Sequence, residues 1–66
     1  MESRTEREPE YVIRVGRMGM GTARTVAEAC ERAREAALEE ALWTGTVYWT
    51  VLDPEGRVVA DGIATR

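Results

Sequence analysis

The chain has 66 residues, a formal net charge of −3 and one cysteine, Cys30, but no histidine. This length fits one small domain, and the cysteine and histidine counts exclude an internal disulfide and a zinc site built from Cys and His ligands. The acidic balance disfavours nucleic acid as a partner, and no apolar run approaches the about 18 residues of a membrane span. A domain of this size buries only about 60% of its unfolded surface. We therefore expect either a well-packed core or self-association, and favour self-association.

The composition carries a strong bias. All nine basic residues are arginine, and lysine, asparagine, glutamine and phenylalanine are absent. This bias is typical of a gene of high GC content, from a bacterium or a phage. The single thiol and the lack of a secretion-signal pattern predict a cytoplasmic protein.

Two segments precede the first helical pattern. Residues 1–9 are charged with both signs and predict a disordered tail, which leaves residues 10–66 as the folded domain. Residues 10–17 are rich in β-branched side chains and predict a strand. We interpret the glycine-containing stretch 16–25, GRMGMGTART, as a flexible link.

This link raises the question of phosphate binding. Backbone N–H groups at the start of a helix can bind an anion, and the candidate ligands here are Arg17, Gly19, Gly21 and Arg24. The spacing G-x-x-G-x-G matches neither the dinucleotide-binding motif nor the Walker motif. Thr25 also offers its hydroxyl to the same N–H groups, so we favour a link without a ligand.

The segment from Val26 to Trp43 is the clearest predicted element. Thr25 and Glu28 form a T-x-x-E capping box, and Gly45 is a plausible helix end. Small residues share one face at helical spacing: Val26, Ala29, Cys30, Ala33, Ala36, Ala37 and Ala41. This face predicts close packing against a sheet, with Cys30 as a buried, inert thiol. Leu38 and Leu42 lie to one side of it and are candidate interface residues.

The helix sequence TVAEACERAREAALEEAL resembles the helix of the HicB-type antitoxins. The resemblance covers about 18 residues, and those antitoxins have several strands before the helix, where we expect one here. It implies a small antitoxin or inhibitor as an alternative function, and no site residue is carried over.

The remaining sequence predicts a hairpin. Residues 46–52 alternate in strand fashion, DPEG at 53–56 has the pattern of a type I turn, and residues 57–63 form the return strand. The predicted fold class is therefore α+β, a single βαββ unit with a three-stranded, mainly antiparallel sheet in the order 2-3-1. The order 1-2-3, with one parallel pair, is the alternative. One helix packs on one face of the sheet.

The uncovered sheet face carries the main functional hypothesis. If Val47, Trp49 and Val51 face the helix, the opposite side presents a mixed apolar and polar set: Val12, Arg14, Tyr48, Thr50, Leu52 and Val59. The interface candidates on that side are Arg14, Tyr48, Thr50 and Leu52. The reverse assignment, with Tyr48 inside and Trp49 outside, would expose a still more hydrophobic surface. Both assignments therefore predict a contact with a protein, most simply a second copy of this chain.

Catalysis has little support. No histidine exists to activate Cys30, and a three-stranded sheet with one helix offers no cleft to the carboxylates of residues 39–40, 53, 55 and 61. We expect no enzyme, no cofactor and no metal. The leading hypothesis is a protein-interaction module that forms a homodimer or binds a protein partner. The alternative is an antitoxin-like or anion-binding regulator that uses Arg14, Arg17, Arg24 and the glycine link.

Overall fold

The computed structural model describes residues 9–66, in which two strands, one helix and two further strands follow one another in the order ββαββ. The strands are β1 (Tyr11–Val15), β2 (Met18–Ala23), β3 (Thr46–Leu52) and β4 (Val58–Thr65), and the helix is α1 (Val26–Thr44). They form one sheet in the order β2-β1-β3-β4, in which every neighbouring pair is antiparallel. The α+β class with one helix is confirmed. The predicted tail lies outside the described residues, apart from Pro9.

The prediction of three strands in the order 2-3-1 is wrong, because the presumed glycine link contains a strand. β1 ends at Val15 and turns back through Gly16 and Arg17 into β2. Gly16 has a φ of 61°, which fits the glycine required at the first central position of a two-residue type II′ hairpin turn. Met20 is the extra residue of a bulge, since Ile13 pairs with Gly21 and Arg14 pairs with Gly19, which leaves Met20 without a partner on β1.

This extra strand explains the observed strand order. A helical crossover joins parallel strands of one sheet, and here it joins β2 to β3. Both strands are antiparallel to β1, which lies between them. β3 therefore pairs directly with β1, and β4 follows β3 at the sheet edge rather than in the centre.

The helix is capped by Thr25 at its N-terminus and by Gly45 at its C-terminus. The Thr25 hydroxyl accepts a hydrogen bond from the Glu28 backbone N–H at 3.0 Å, and the Glu28 carboxylate accepts from the Arg24 backbone N–H at 3.4 Å. At the other end Gly45 has a φ of 99°, and its N–H donates to the Ala41 carbonyl at 2.7 Å. Both predicted caps are confirmed, and they define the first and last turns of α1.

The core lies between α1 and the sheet. Its helix side consists of four fully buried alanines, and its sheet side supplies the bulk with Ile13, Val51 and Trp49. The small alanine side chains let the helix axis come close to the sheet, as the small-residue face predicts. Gly62 lies directly opposite Trp49 on β4, and the indole ring occupies the space where a side chain at position 62 would stand.

The β3–β4 connection is a tight turn held by Asp53. The Gly56 N–H donates to the Asp53 carbonyl at 2.9 Å, as the DPEG pattern predicts. The Asp53 carboxylate accepts from the backbone N–H groups of Arg57 at 2.8 Å and Glu55 at 2.9 Å. These hydrogen bonds, that from Arg57 first, lower the pKa of Asp53 below its ordinary value of 3.8, because they stabilise the ionised form.

Candidate interaction surface

The sheet has one side that α1 does not cover, which we call the open face. Side chains alternate between the two sides of a strand. Ile13 and Val15 of β1 and Val51 of β3 are buried against the helix, so their neighbours point the other way. The open face consists of Val12, Arg14, Tyr48, Thr50, Leu52, Val58, Asp61 and Ile63.

Strand pairing arranges these residues in three rows across β1, β3 and β4. The upper row is Val12, Leu52 and Val58; the middle row is Arg14, Thr50 and Asp61; the lower row is Gly16, Tyr48 and Ile63. Gly16 belongs to the lower row because its N–H donates to the Tyr48 carbonyl at 2.7 Å. The open face thus has an apolar row, a charged row and a second apolar row.

Large apolar side chains on this face are well exposed. Tyr48 is 65% exposed and its cross-strand neighbour Ile63 is 57% exposed. The structure brings together the four sheet residues that the sequence predicts as an interface, Arg14, Tyr48, Thr50 and Leu52. Sequence reasoning assigned Val59 rather than Val58 to this face and did not select Asp61 or Ile63, because it did not include the register shift opposite Val51 and Leu52. The DPEG turn indicates the pair Leu52 and Val58, but the bulge after it shifts the later pairs by one residue, so the turn alone does not predict Asp61 and Ile63 on this face.

The two helix candidates form a separate surface. Leu38 and Leu42 are exposed on α1, about 120° and about 160° around the helix axis from the mean direction of the buried alanines at about 100° per residue. The next residue, Trp43, is 84% exposed near the helix end. The thickness of the core separates these residues from the open face, so the six predicted interface residues divide between two sides of the domain.

The four anion-binding candidates do not surround a common point. Arg17 lies in the β1–β2 turn and Arg24 follows the far end of β2. The six residues of β2 between them, at about 3.4 Å each, separate the two backbones by about 20 Å. Gly19 and Gly21 lie within β2, and their strand is paired with β1. A single phosphate cannot contact both arginines, and the anion site stays a prediction.

A depression of 680 Å³ lies beside the start of the helix, and its lining includes Glu10, Arg24, Glu28 and Arg32. Its charge is mixed, with two carboxylates beside two guanidinium groups. Arg32 donates to the Thr22 carbonyl at 2.9 Å and to the Glu28 carboxylate at 3.0 Å. The bond to Thr22 ties the helix to β2, and the bond to Glu28 lies within the helix, so Arg32 has a structural role.

The remaining polar candidates are dispersed. Cys30 is half-buried against the alanine core. Glu55 and Asp53 both pair with Arg57 at the β3–β4 turn. Among residues 9–66, no group of three or more His, Cys, Asp or Glu side chains is placed to hold a metal ion.

Comparison of the chain with protein-family models, with curated proteins and with solved structures gave no match. In the part of the chain that the structure describes, no helix combines the length and the apolar character needed to cross a membrane.

Proposed function

We propose that this protein is a small, non-enzymatic interaction module that self-associates as a homodimer through the open face of its sheet. The observation that carries the proposal is the exposure of Tyr48 and Ile63 side by side on a hydrogen-bonded surface. Contiguous apolar patches on small proteins mark contact surfaces. Tyrosine is also among the residues enriched at protein interfaces.

The construction of the core supports this proposal. One helix covers one side of four strands, and its buried residues are alanines, which contribute little apolar area each. A second copy on the open face would bury Val12, Leu52 and Val58 as well, and so add the apolar burial that a chain of this length lacks. The single thiol also fits a reducing compartment, which supports a cytoplasmic location.

The helix surface around Leu42 is the competing contact. It is curved and narrow, because two leucines at i, i+4 occupy a single strip of the helix. The open face is wider, and its residues are held in place by strand pairing on β1, β3 and β4. We therefore assign the homodimer to the open face.

A matched pair of substitutions tests this assignment. Ile63 is 57% exposed on the open face and Leu42 is 60% exposed on the helix, so a change to glutamate removes similar apolar area at each. Light scattering after size exclusion should give a dimer mass for the wild type and for Leu42→Glu at high concentration. Ile63→Glu should give a mass near the 7.4 kDa monomer. Dimers in both variants, or a monomeric wild type, would contradict the proposal.

The alternative is the regulator that binds an anion or nucleic acid through its arginines. Such binding weakens steeply with salt, because phosphate contacts release counterions. Apolar association depends much less on salt. The separation of Arg17 and Arg24, together with the acidic balance, makes this the weaker candidate.

A further inference from the structure

We propose that the partner on the open face is a second copy bound face to face about a two-fold axis parallel to β3, with Arg14 opposite Asp61 of the partner subunit. This inference rests on the proposed function and specifies its geometry. The evidence is the middle row of the open face, where a positive and a negative side chain stand on either side of Thr50. Both charged side chains are exposed.

The symmetry makes the two faces complementary. A two-fold rotation about an axis along β3 places β3 over β3 and exchanges β1 with β4. In the middle row, Arg14 then meets the partner's Asp61, and this contact occurs twice. In the upper row Val12 meets the partner's Val58, so apolar area meets apolar area. Sheets packed face to face are about 10 Å apart, a gap that an arginine and an aspartate side chain can bridge together.

The lower rows of the two copies are complementary in shape. In this row Ile63 supplies a large exposed side chain from β4, and Gly16 occupies the corresponding place on the β1 side of Tyr48. The rotation brings Ile63 over Gly16 of the partner subunit, where no side chain opposes it. Tyr48 meets the partner's Tyr48 near the axis.

An in-plane two-fold axis perpendicular to the strands through Thr50 lacks this complementarity. It would place Arg14 over the partner's Arg14 and Asp61 over the partner's Asp61. Like charges held opposite each other disfavour an interface. The signs of two side chains in one row therefore select the axis along β3.

The area of the face predicts a weak dimer. Rotation about β3 leaves β2 of each copy beyond β4 of the other, so three strands overlap. Three strands about 4.8 Å apart and about six residues long, at about 3.4 Å each, give a flat area of about 290 Å² per copy. Two copies then remove about 600 Å² or somewhat more from water, which is below the about 1,200 Å² of stable specific interfaces and fits a weak, transient contact. We expect a micromolar dissociation constant, so association must be measured at high protein concentration.

Charge reversal tests the geometry by sedimentation equilibrium. Arg14→Glu and Asp61→Arg each create two like-charged contacts in the proposed dimer, and each should raise the dissociation constant at least about tenfold. The double variant should recover wild-type affinity. An equimolar mixture of the two single variants should form a mixed dimer, because every contact across the axis then joins opposite charges. Arg34→Glu and Glu39→Arg, on exposed positions of the helix, are controls with the same charge changes.

The outcomes separate the geometry from the function. A dimer that Ile63→Glu disrupts but neither charge reversal weakens would overturn the axis and leave the open face as the interface. Equal weakening by the reversals and by their helix controls would also overturn it, since net charge alone would then explain the effect. A wild type that stays monomeric would overturn both proposals. Circular dichroism of each variant verifies that it is folded.

Discussion

Replacing Gly62 with alanine should destabilise the fold, because the indole of Trp49 already fills the space beside the backbone. A Cβ atom at position 62 would lie 2.5 Å from Cζ2, 2.7 Å from Cε2 and 2.8 Å from Nε1 of Trp49. Carbon atoms in favourable contact are about 3.5–4.0 Å apart. The contacted atoms belong to a rigid, buried ring rather than to the end of a flexible chain.

Two opposing effects set the magnitude. Overpacking of a core costs about 1–3 kcal/mol, whereas replacing glycine with alanine stabilises by about 0.4–1 kcal/mol through the unfolded chain. The difference is a net loss of about 0–2.6 kcal/mol, and three contacts below 3.0 Å with a rigid ring favour the upper half of this range. At about 0.05–0.15 kcal/mol per residue, the whole domain has about 3–10 kcal/mol of stability. The substitution therefore removes a measurable part of the free energy of unfolding.

Urea unfolding followed by circular dichroism measures this loss. Gly19→Ala is the matched control, because Gly19 is also in a strand and no atom lies within 4 Å of the Cβ position there. The control should be neutral or slightly stabilising. In a Trp49→Leu background the Gly62→Ala substitution should cost much less, since the ring atoms are gone. Equal stabilities of the Gly62→Ala and Gly19→Ala variants would refute the packing argument.

Two further predictions concern the helix cap and the β3–β4 turn. Thr25→Ala should lower the free energy of unfolding by about 1 kcal/mol, because the Glu28 N–H loses its acceptor. Thr25→Ser keeps a hydroxyl acceptor and should retain most of the wild-type stability. Equal urea midpoints for the two variants would exclude a contribution from the cap. Because the pKa of Asp53 is lowered in the folded state, its carboxylate contributes stability above pH 3.8 that is lost as the pH falls through the folded pKa. The difference in Tm between the wild type and Asp53→Asn should therefore be constant near neutrality and shrink in acid, and a difference independent of pH would contradict this linkage.

The helix and the hairpin after it were predictable from sequence because local signals agreed there. The capping box at Thr25, the alanine face and Gly45 each indicate the same helix. Alternation along residues 46–52 leaves two assignments open, and the structure shows the one in which Trp49 faces inward. Where propensity, periodicity and turn chemistry agree, the local sequence is enough to define the element.

β2 was missed because its sequence, MGMGTA, opposes its structure. Two glycines and no β-branched residue before Thr22 give the segment little strand propensity. Pairing with β1 nevertheless holds it in the sheet, so tertiary context overrides local preference. The available signal was the pair Gly16 and Arg17, because a glycine at the first of two central positions is typical of a hairpin turn.

The missed strand changes the topology but not the side of the sheet that each residue occupies. Alternation along the paired strands β1 and β3 places Arg14 and Tyr48 on one side of the sheet whether or not β2 is present, and the burial of Ile13 and Val51 shows that this side is the open face. β2 also affects the proposed dimer, because its residue opposite Arg14 is Gly19, which has no side chain to cover the guanidinium. The glycine content that hid the strand from sequence analysis thus leaves the positive end of the middle row accessible to Asp61 of the partner subunit. A bulky residue at position 19 should weaken association while leaving the fold intact, which links the composition of β2 to the open face.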